Sequence, residues 1–187
     1  MLLTFGESLG SYGGESAFTG LDDLVRRVDG ALWAGPTHAN PLWGRVVARR
    51  DDGSTQVRPV VQDGHTVRVA TRPSDLTSPA QPWPSPRIVY LNHASDPVTW
   101  WSPSLLVHKP DWLREKRGPD VLPAMRWYPF VTFWQVTADL MFADQAPPGH
   151  GHHYGGELAA AWAVIAPPAG WTDTDTARLS SLIDSHD

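Results

Sequence analysis

The chain has 187 residues, a formal net charge of −5, ten tryptophans and a hydrophobic fraction of 41%. Ten indole rings need a packed environment, which excludes a disordered chain, and the lack of any Lys/Arg-rich run makes nucleic acid an unsuitable partner. No cysteine is present, which excludes disulfides and thiolate chemistry, and no run of about 18 apolar residues predicts a membrane span, so the chain as given is expected to be soluble.

The first fifty residues predict strand, helix, strand and helix. The apolar run 2–5 stops at Gly6, as a buried strand entering a tight turn does. Residues 21–28 (LDDLVRRV) carry apolar side chains at helical spacing, and Gly30 ends that helix. Residues 31–34 form a second short strand, and residues 40–50 a short helix.

Residues 51–86 predict an irregular insertion within one domain that covers residues 1–187. Residues 56–61 and 66–70 have the composition of two short strands, and Asp63-Gly64 between them favours a hairpin. Residues 73–86 contain five prolines and predict an extended linker on the surface.

The second half begins with the strongest β-run of the chain, residues 87–91 (RIVYL). Residues 100–130 predict long loops with short helices, and residues 131–141 a further strand because they are rich in β-branched and aromatic side chains. Residues 157–165 and 172–183 predict helices, the second capped by Thr172 or Asp173. This alternation favours a mostly parallel sheet covered by helices, an α/β fold.

The sharpest motif is GESLG at residues 6–10, which fits G-x-S-x-G between an apolar strand and a helix. In that setting Ser8 is a candidate nucleophile, and the N–H of Leu9 at the helix N-terminus a candidate oxyanion donor. The alternative is that Ser8 only caps the helix. A second Gly-Glu-Ser at residues 14–16 has no strand before it and no closing glycine, so it is set aside.

A nucleophilic serine needs a base and an acid, and in this type of fold the order along the chain is Ser, acid, His. Asp96 follows the strand at 87–91, although an Asp-Pro pair also starts turns. The string PPGHGHHYG at residues 147–155 supplies the base, either His152 or, as second choice, His150. His150, His152 and His153 could instead bind a transition metal, but no helix with H-E-x-x-H accompanies them.

Five tryptophans lie within residues 100–134, where they either form an aromatic core under long loops or line an acyl-binding wall or membrane-facing surface. The first interpretation is the more common one. The five are Trp100, Trp101, Trp112, Trp127 and Trp134.

Several strings, among them FGESLGSYGGESAF, SDPVTWWSPSLL, RGPDVLPAMRWYPFVTFWQVTADL and PPGHGHHYG, resemble an actinobacterial family of α/β-hydrolase-like proteins. The resemblance extends from Leu3 to about Leu179. It implies Ser8 as nucleophile, Asp96 as acid and a histidine of PPGHGHHYG as base, with no cofactor and no catalytic metal. In that family a membrane-spanning region precedes the hydrolase domain, which would supply a membrane tether.

Measured against that family, the chain is expected to lack the membrane region and the first strands of the hydrolase domain. The second oxyanion donor would then be missing, which costs about 3 kcal/mol of transition-state stabilisation. An open sheet edge would also favour pairing with a second copy.

These features lead to one main hypothesis and two alternatives. The main hypothesis is a serine hydrolase or acyltransferase acting on an ester or thioester, including a lipid acyl ester, through Ser8, His152 and Asp96. The alternatives are an inactive, truncated hydrolase module that binds a partner, and a metal-binding protein built on the histidine cluster.

Overall fold

A computed structural model of the chain describes residues 1–77 and 82–186. Its centre is a four-stranded sheet in which every neighbouring pair is parallel, in the order β1-β2-β4-β3. The fold class predicted from the sequence, a parallel sheet flanked by helices, is confirmed. The strands are β1 (Leu3–Glu7), β2 (Gly30–Ala34), β3 (Val67–Ala70) and β4 (Arg87–Leu91).

Seven α-helices and several short 3-10 turns surround the sheet in the described part of the chain. None of these helices is both long enough and apolar enough to cross a membrane. The helices are α1 (Leu9–Glu15), α2 (Leu21–Arg27), α3 (Pro41–Ala48), α4 (Pro97–Trp100), α5 (Val131–Asp139), α6 (Glu157–Ile165) and α7 (Asp173–Asp184).

β2, β3 and β4 are buried on both faces, as parallel strands between two helix layers must be, whereas β1 at the edge of the sheet is partly exposed. Side chains alternate between the faces: Trp33 and Tyr90 pack with α2 and α3, whereas Leu32 and Leu91 pack with α6. Burying an aliphatic side chain of this kind contributes about 1.5 to 3 kcal/mol to the free energy of unfolding. The sheet is therefore a stable support for the loops that leave it.

Hydrogen bonds continue beyond the ends of the strands. The N–H of Ser8 donates to Ala34 O at 3.0 Å, and the N–H of Gly35 donates to Leu91 O at 2.9 Å. The N–H of Asn92 donates to Ala70 O at 2.9 Å. The residues that follow β1, β2 and β4 are therefore tied to their neighbours, and the three loops leave the sheet at one edge.

Glu15 anchors α1 to the rest of the fold. Its carboxylate is fully buried and accepts hydrogen bonds from the N–H of Leu42 at 2.8 Å, at the start of α3, and from the Tyr90 hydroxyl at 2.9 Å. Burial raises the pKa of Glu15, and these hydrogen bonds offset part of that rise. Next to it, a Cβ on Gly14 would lie 2.5 Å from the Trp33 ring. The second Gly-Glu-Ser string is thus a packing and anchoring segment.

The predicted elements are confirmed in most places. Strands at 2–5, 31–34, 66–70 and 87–91, and helices at 21–28, 40–50, 157–165 and 172–183, all exist with end shifts of a few residues. Thr172 caps α7, and Asp175 completes a capping box. Residues 78–81 of the predicted linker lie outside the described residues.

The predicted strand at 131–141 is wrong, because α5 occupies residues 131–139. Its buried side chains, Thr132 and Val136, are four residues apart, which is the spacing of one helix face. The hydroxyl of Thr132 also accepts a hydrogen bond from Tyr128 N at 2.8 Å and fixes the first turn. The burial of this helix face stabilises the helix more than the β-propensity of the aromatic and branched residues stabilises a strand.

The predicted hairpin around Asp63-Gly64 is also wrong. Residues 56–61 form no strand, and β3 pairs in parallel with β4 instead. Pro59 has no N–H for a strand ladder. Asp51 closes the segment as a loop, since its carboxylate accepts hydrogen bonds from the N–H groups of Gln62 at 3.2 Å and Asp63 at 2.9 Å.

Candidate active site

Ser8 lies in the sharp turn between β1 and α1. Its backbone has φ 56° and ψ −125°, a strained conformation for a residue with a side chain. Gly6 permits the turn, since a Cβ there would lie 2.7 Å from the Cα of Ser11. A Cβ on Gly10, by contrast, would meet open space. Only the first glycine of the motif is therefore required by steric contact.

The hydroxyl of Ser8 does not cap α1, although Ser8 occupies the N-cap position. Capping therefore does not explain why serine stands at this strained position. Leu9 is the first residue of α1, and its N–H belongs to the group of helical N–H donors that have no partner within the helix. That N–H lies at the positive end of the helix dipole, the local requirement for an oxyanion donor.

Asp96 lies in the loop after β4 and is fully buried. Its Oδ1 accepts a hydrogen bond from Val98 N at 2.8 Å and so caps α4, which is the role expected of an Asp-Pro turn. Its Oδ2 accepts hydrogen bonds from Tyr154 Oη at 2.7 Å and Thr99 Oγ1 at 3.3 Å, and lies 2.8 Å from Nδ1 of His152. One carboxylate thus starts a helix and orients an imidazole.

His152 has one ring nitrogen bonded and one open. Nδ1 bonds Asp96, whereas Nε2 is buried and has no hydrogen-bond partner among the described residues. Because an aspartate accepts at Nδ1, that nitrogen carries the proton and Nε2 presents a lone pair in the neutral ring. An unpaired buried polar atom needs an explanation, and a base waiting for a proton is one.

Charges around His152 favour its protonated form. Burial lowers the pKa of His152, but the hydrogen bond and charge of Asp96, with the charge of Glu7, outweigh burial and raise that pKa. The positive charge of His93 opposes them. Glu7 is the residue directly before Ser8, so the electrostatic coupling reaches the nucleophile turn.

The ring of His152 lies over Gly35, which has φ 53°. A Cβ at that position would be 2.8 Å from Nδ1 of His152, so only glycine leaves room for the ring. Gly35 follows Ala34, whose carbonyl accepts the N–H of Ser8. His152 and Ser8 thus both lie next to the carboxyl end of β2, but they form no hydrogen bond with each other. Such bonds often tighten only when substrate is present.

The other two histidines of the cluster point elsewhere. His150 is exposed, and its Nδ1 lies 3.2 Å from Pro148 O, so the second candidate for the base is not next to Asp96. Nδ1 of His153 lies 2.8 Å from Ala146 O. Within residues 1–77 and 82–186, no three His, Cys, Asp or Glu side chains are arranged to hold a metal ion.

A second buried histidine, His93, supports this site and was missed at the sequence level. Its Nδ1 lies 2.9 Å from Gly151 O and its Nε2 2.6 Å from Glu157 Oε2. Burial lowers the pKa of His93, but the hydrogen bond and charge of Glu157 outweigh it and raise that pKa. With acceptors at both nitrogens, the protonated form of His93 is favoured, and its two hydrogen bonds hold the loop before His152.

Tyr154 connects the two histidines. Its ring stacks on His93 at 4.3 Å, its hydroxyl donates to Asp96, and it is itself fully buried. Burial and the nearby charge of Asp96 raise the pKa of Tyr154 well above its usual value, so the phenol stays a donor. The signal available in the sequence was position: His93 follows a strand as Asp96 does, and Tyr154 is two residues from His152.

Ser95 joins the loop after β4 that contains Asp96 (residues 92–96, the acid loop) to the loop that contains His152 (residues 147–155, the histidine loop). Its hydroxyl donates to Asp120 Oδ2 at 2.5 Å and accepts a hydrogen bond from Gly151 N at 2.9 Å. Its own N–H donates to the same Asp120 oxygen at 3.0 Å. The residues directly before Asp96 and His152, Ser95 and Gly151, are therefore held together.

The tryptophans divide between core and surface. Trp100 and Trp112 are buried in the core, as the interpretation of an aromatic core under loops predicts. Trp134 is 64% exposed and contacts Phe133 at 5.2 Å between ring centroids. Phe133 in turn contacts Trp101, which contacts His38 in the loop after β2. We call His38, Trp101, Phe133 and Trp134 the aromatic row.

Comparison with known proteins gives one match. No curated protein and no solved structure matches the chain. The sequence model of the Alpha/beta-hydrolase family matches residues 1–179, which include the nucleophile turn, the acid loop and the histidine loop. The chain belongs to the Alpha/beta-hydrolase family.

Proposed function

We propose that this protein is a serine hydrolase acting on an ester or thioester through Ser8, His152 and Asp96. Membership of the Alpha/beta-hydrolase family suggests hydrolase activity in general. The observation that carries the specific proposal is His152, whose ring lies over Gly35 after β2, bonds buried Asp96 at 2.8 Å through Nδ1 and leaves Nε2 buried without a partner among the described residues.

The chemistry follows from these positions. Oγ of Ser8 attacks the acyl carbon while Nε2 of His152 takes its proton, and Asp96 stabilises the imidazolium that forms. The N–H of Leu9 donates to the oxyanion. The carbon–oxygen or carbon–sulfur bond then breaks, and the leaving group takes the proton from His152. Water, or another hydroxyl in acyl transfer, attacks the acyl-enzyme and restores Ser8.

The surroundings favour an apolar acyl group. Leu9, next to the nucleophile, has a side chain that is 75% exposed, and Tyr12 on the same helix is also exposed. The aromatic row begins three residues after Gly35 and extends the apolar surface from the loop after β2 to α5. A lipid acyl chain could bury this surface and gain about 25 cal/mol per Å².

Labelling with a fluorophosphonate probe tests the proposal. Wild-type protein is expected to be labelled, Ser8→Ala to lose all labelling, and His152→Gln and Asp96→Asn to lose most of it. Ser16→Ala is the matched control, because Ser16 ends the other Gly-Glu-Ser string and its hydroxyl donates to Tyr12 O at 2.8 Å. A folded wild type that is not labelled, or labelling that survives Ser8→Ala, would refute the assignment.

A second candidate, a module that acts by assembly, rests on the edge of the sheet. β1 pairs with β2 on one side, and no described strand pairs with its other side. Leu2 and Phe5 beside this edge are 56% and 48% exposed. Pairing of two β1 edges would give a dimer, and light scattering at increasing protein concentration tests it. Phe5→Lys is expected to shift a dimer to monomer, whereas a wild-type monomer at all concentrations would exclude this mode.

A further inference from the structure

A cavity of about 430 Å³ lies beyond the carboxyl end of β4, between the acid loop, the loop at 118–125 and α5. Ser8, Leu9 and His152 are not among the residues that line it. It is therefore distinct from the proposed acyl site, although Asp96 and Pro97 form part of its wall. Two neighbouring openings share Asp139 with it, one of about 580 Å³ toward Tyr128 and one of about 310 Å³ toward His150.

The walls of the cavity are largely apolar. Trp100 and Trp112 are buried there with ring centroids 5.8 Å apart, and Val136 of α5 and Met125 face the same space. An indole attracts a cation to its ring face as well as providing apolar contact. These walls suit the apolar body of a small ligand.

The charges in the wall all have one sign. Asp96, Asp120 and Asp139 line the cavity, and no Lys, Arg or His is among its lining residues. Asp96 is paired with His152, but neither Asp120 nor Asp139 forms an ion pair within the described chain. Arg126, which lines the neighbouring opening, donates to the carbonyls of Pro123 and Met125.

The two unpaired carboxylates differ in access. Asp120 uses Oδ2 for Ser95, and its Oδ1 is buried without a hydrogen-bond partner, so its charge is only partly compensated. Asp139 is exposed and lies at the junction of all three openings. A cation that enters the cavity would therefore contact Asp139 first, and further inside it would be attracted by the negative charge of Asp120.

We propose that this cavity binds an amphipathic amine, with its ammonium at Asp139 and its alkyl or aryl body between Trp100, Trp112 and Val136. A carboxylic acid of the same shape is repelled by the three aspartates, and an alcohol lacks the charge. This site goes beyond the hydrolase function, since it needs neither Ser8 nor His152. The charge complementarity selects the amine over other apolar occupants.

Calorimetric titration of the Ser8→Ala variant at pH 7 with hexylamine, hexan-1-ol and hexanoate tests this proposal, because no turnover of the proposed kind can interfere. Hexylamine is expected to bind up to about fivefold more tightly than hexan-1-ol, as one ion pair at an exposed carboxylate allows, and hexanoate least tightly. Equal binding of the three compounds, or no heat with hexylamine at millimolar concentration, would overturn the proposal.

Three variants locate the amine. Asp139→Asn should remove the preference for hexylamine over hexan-1-ol, whereas Asp144→Asn, which removes an exposed charge five residues away and outside the cavity lining, should leave it unchanged. Val136→Phe should weaken hexylamine and hexan-1-ol together by filling the apolar end. If neither Asp139→Asn nor Val136→Phe changes the affinity for hexylamine, and both variants have a wild-type circular dichroism spectrum, the amine binds elsewhere and the assignment is wrong.

Discussion

His93 and His152 lie on the two loops that meet above the carboxyl ends of β2 and β4, and each bonds a carboxylate through one ring nitrogen. They differ at the other nitrogen. His93 bonds the carbonyl of Gly151 there, whereas Nε2 of His152 has no partner among the described residues. A histidine with acceptors at both nitrogens can only hold structure, while one with an open nitrogen can exchange a proton. His93 therefore stabilises the hydrogen-bond network, and His152 is the histidine that the proposed reaction uses.

The largest expected effect comes from replacing each histidine by glutamine. His152→Gln should lower the rate of fluorophosphonate labelling by about 10³-fold, the order lost with a general base, and should also lower stability, because buried Asp96 loses its partner. His93→Gln should mainly lower the free energy of unfolding, by about 1 to 3 kcal/mol, because Glu157 loses its cationic partner. The labelling rate and the thermal melt of each variant test these expectations. If both variants lost labelling to the same extent, the assignment of different roles to the two histidines would be wrong.

A matched pair of glycines tests whether the geometry of His152 matters by itself. Gly35→Ala places a methyl group against Nδ1 of His152 and should lower labelling about 10- to 100-fold, since small displacements of a catalytic group cost this much. Gly149→Ala also forces a positive φ on a side chain but meets only Glu157 at 3.5 Å. Gly149→Ala should cost about 1 to 2 kcal/mol of stability for its strained backbone, and Gly35→Ala more, because its methyl group also collides with His152 and Tyr154. Equal labelling by the two variants would contradict the assigned position of His152.

The pH dependence of stability should distinguish the two histidines next. Each has a pKa raised above its unfolded value near 6.5, so its stabilisation is fully present below about pH 6.5 and is lost as pH rises through the folded pKa. The pKa of Glu15 is also raised, so its stabilisation is likewise lost as pH rises, beginning at a lower pH. This contribution is the same in the wild type and in both histidine variants.

The free energy of unfolding of the wild type should therefore fall above about pH 6.5, and the slope should be smaller in His93→Gln and in His152→Gln. Denaturant titrations from pH 5 to pH 9 measure this. A slope that is unchanged in His93→Gln would mean that His93 is neutral and that the comparison above is incorrect.

The smallest expected effect concerns Glu7, the residue directly before Ser8. Its charge helps raise the pKa of His152, so Glu7→Gln should move the acid limb of the labelling rate to lower pH, in the same direction as Asp96→Asn but by less. Asp22→Asn, which removes an exposed charge on α2, should leave the limb in place. A shift to higher pH in Glu7→Gln would contradict the proposed coupling.

The sequence-based predictions of site residues depend on chain order. Ser8 and Asp96 are predicted because each follows an apolar strand, and parallel strands end at the same edge of the sheet. His152 was preferred to His150 on its neighbours alone, and its bond to Asp96 is consistent with that preference.

The parts that failed depend on packing that the sequence does not state. Residues 131–139 have strand-like composition, and only the burial of Thr132 and Val136 on one face distinguishes the helix. His93 gave no signal as a single histidine, because its role requires Gly151 and Glu157, which lie 58 and 64 residues further along the chain.

The hydrogen bonds at the ends of the strands have a consequence for amide exchange. Ser8, Gly35 and Asn92 belong to turns, yet each N–H donates to a carbonyl of the adjacent strand or the end of it. Their amide protons should exchange with deuterium only when the sheet opens, as slowly as those inside β2 and β4. The nucleophile turn then has no low-energy local opening of its own. We expect the fast-exchanging amides outside the sheet, for example in residues 97–146, and exchange mass spectrometry would locate them.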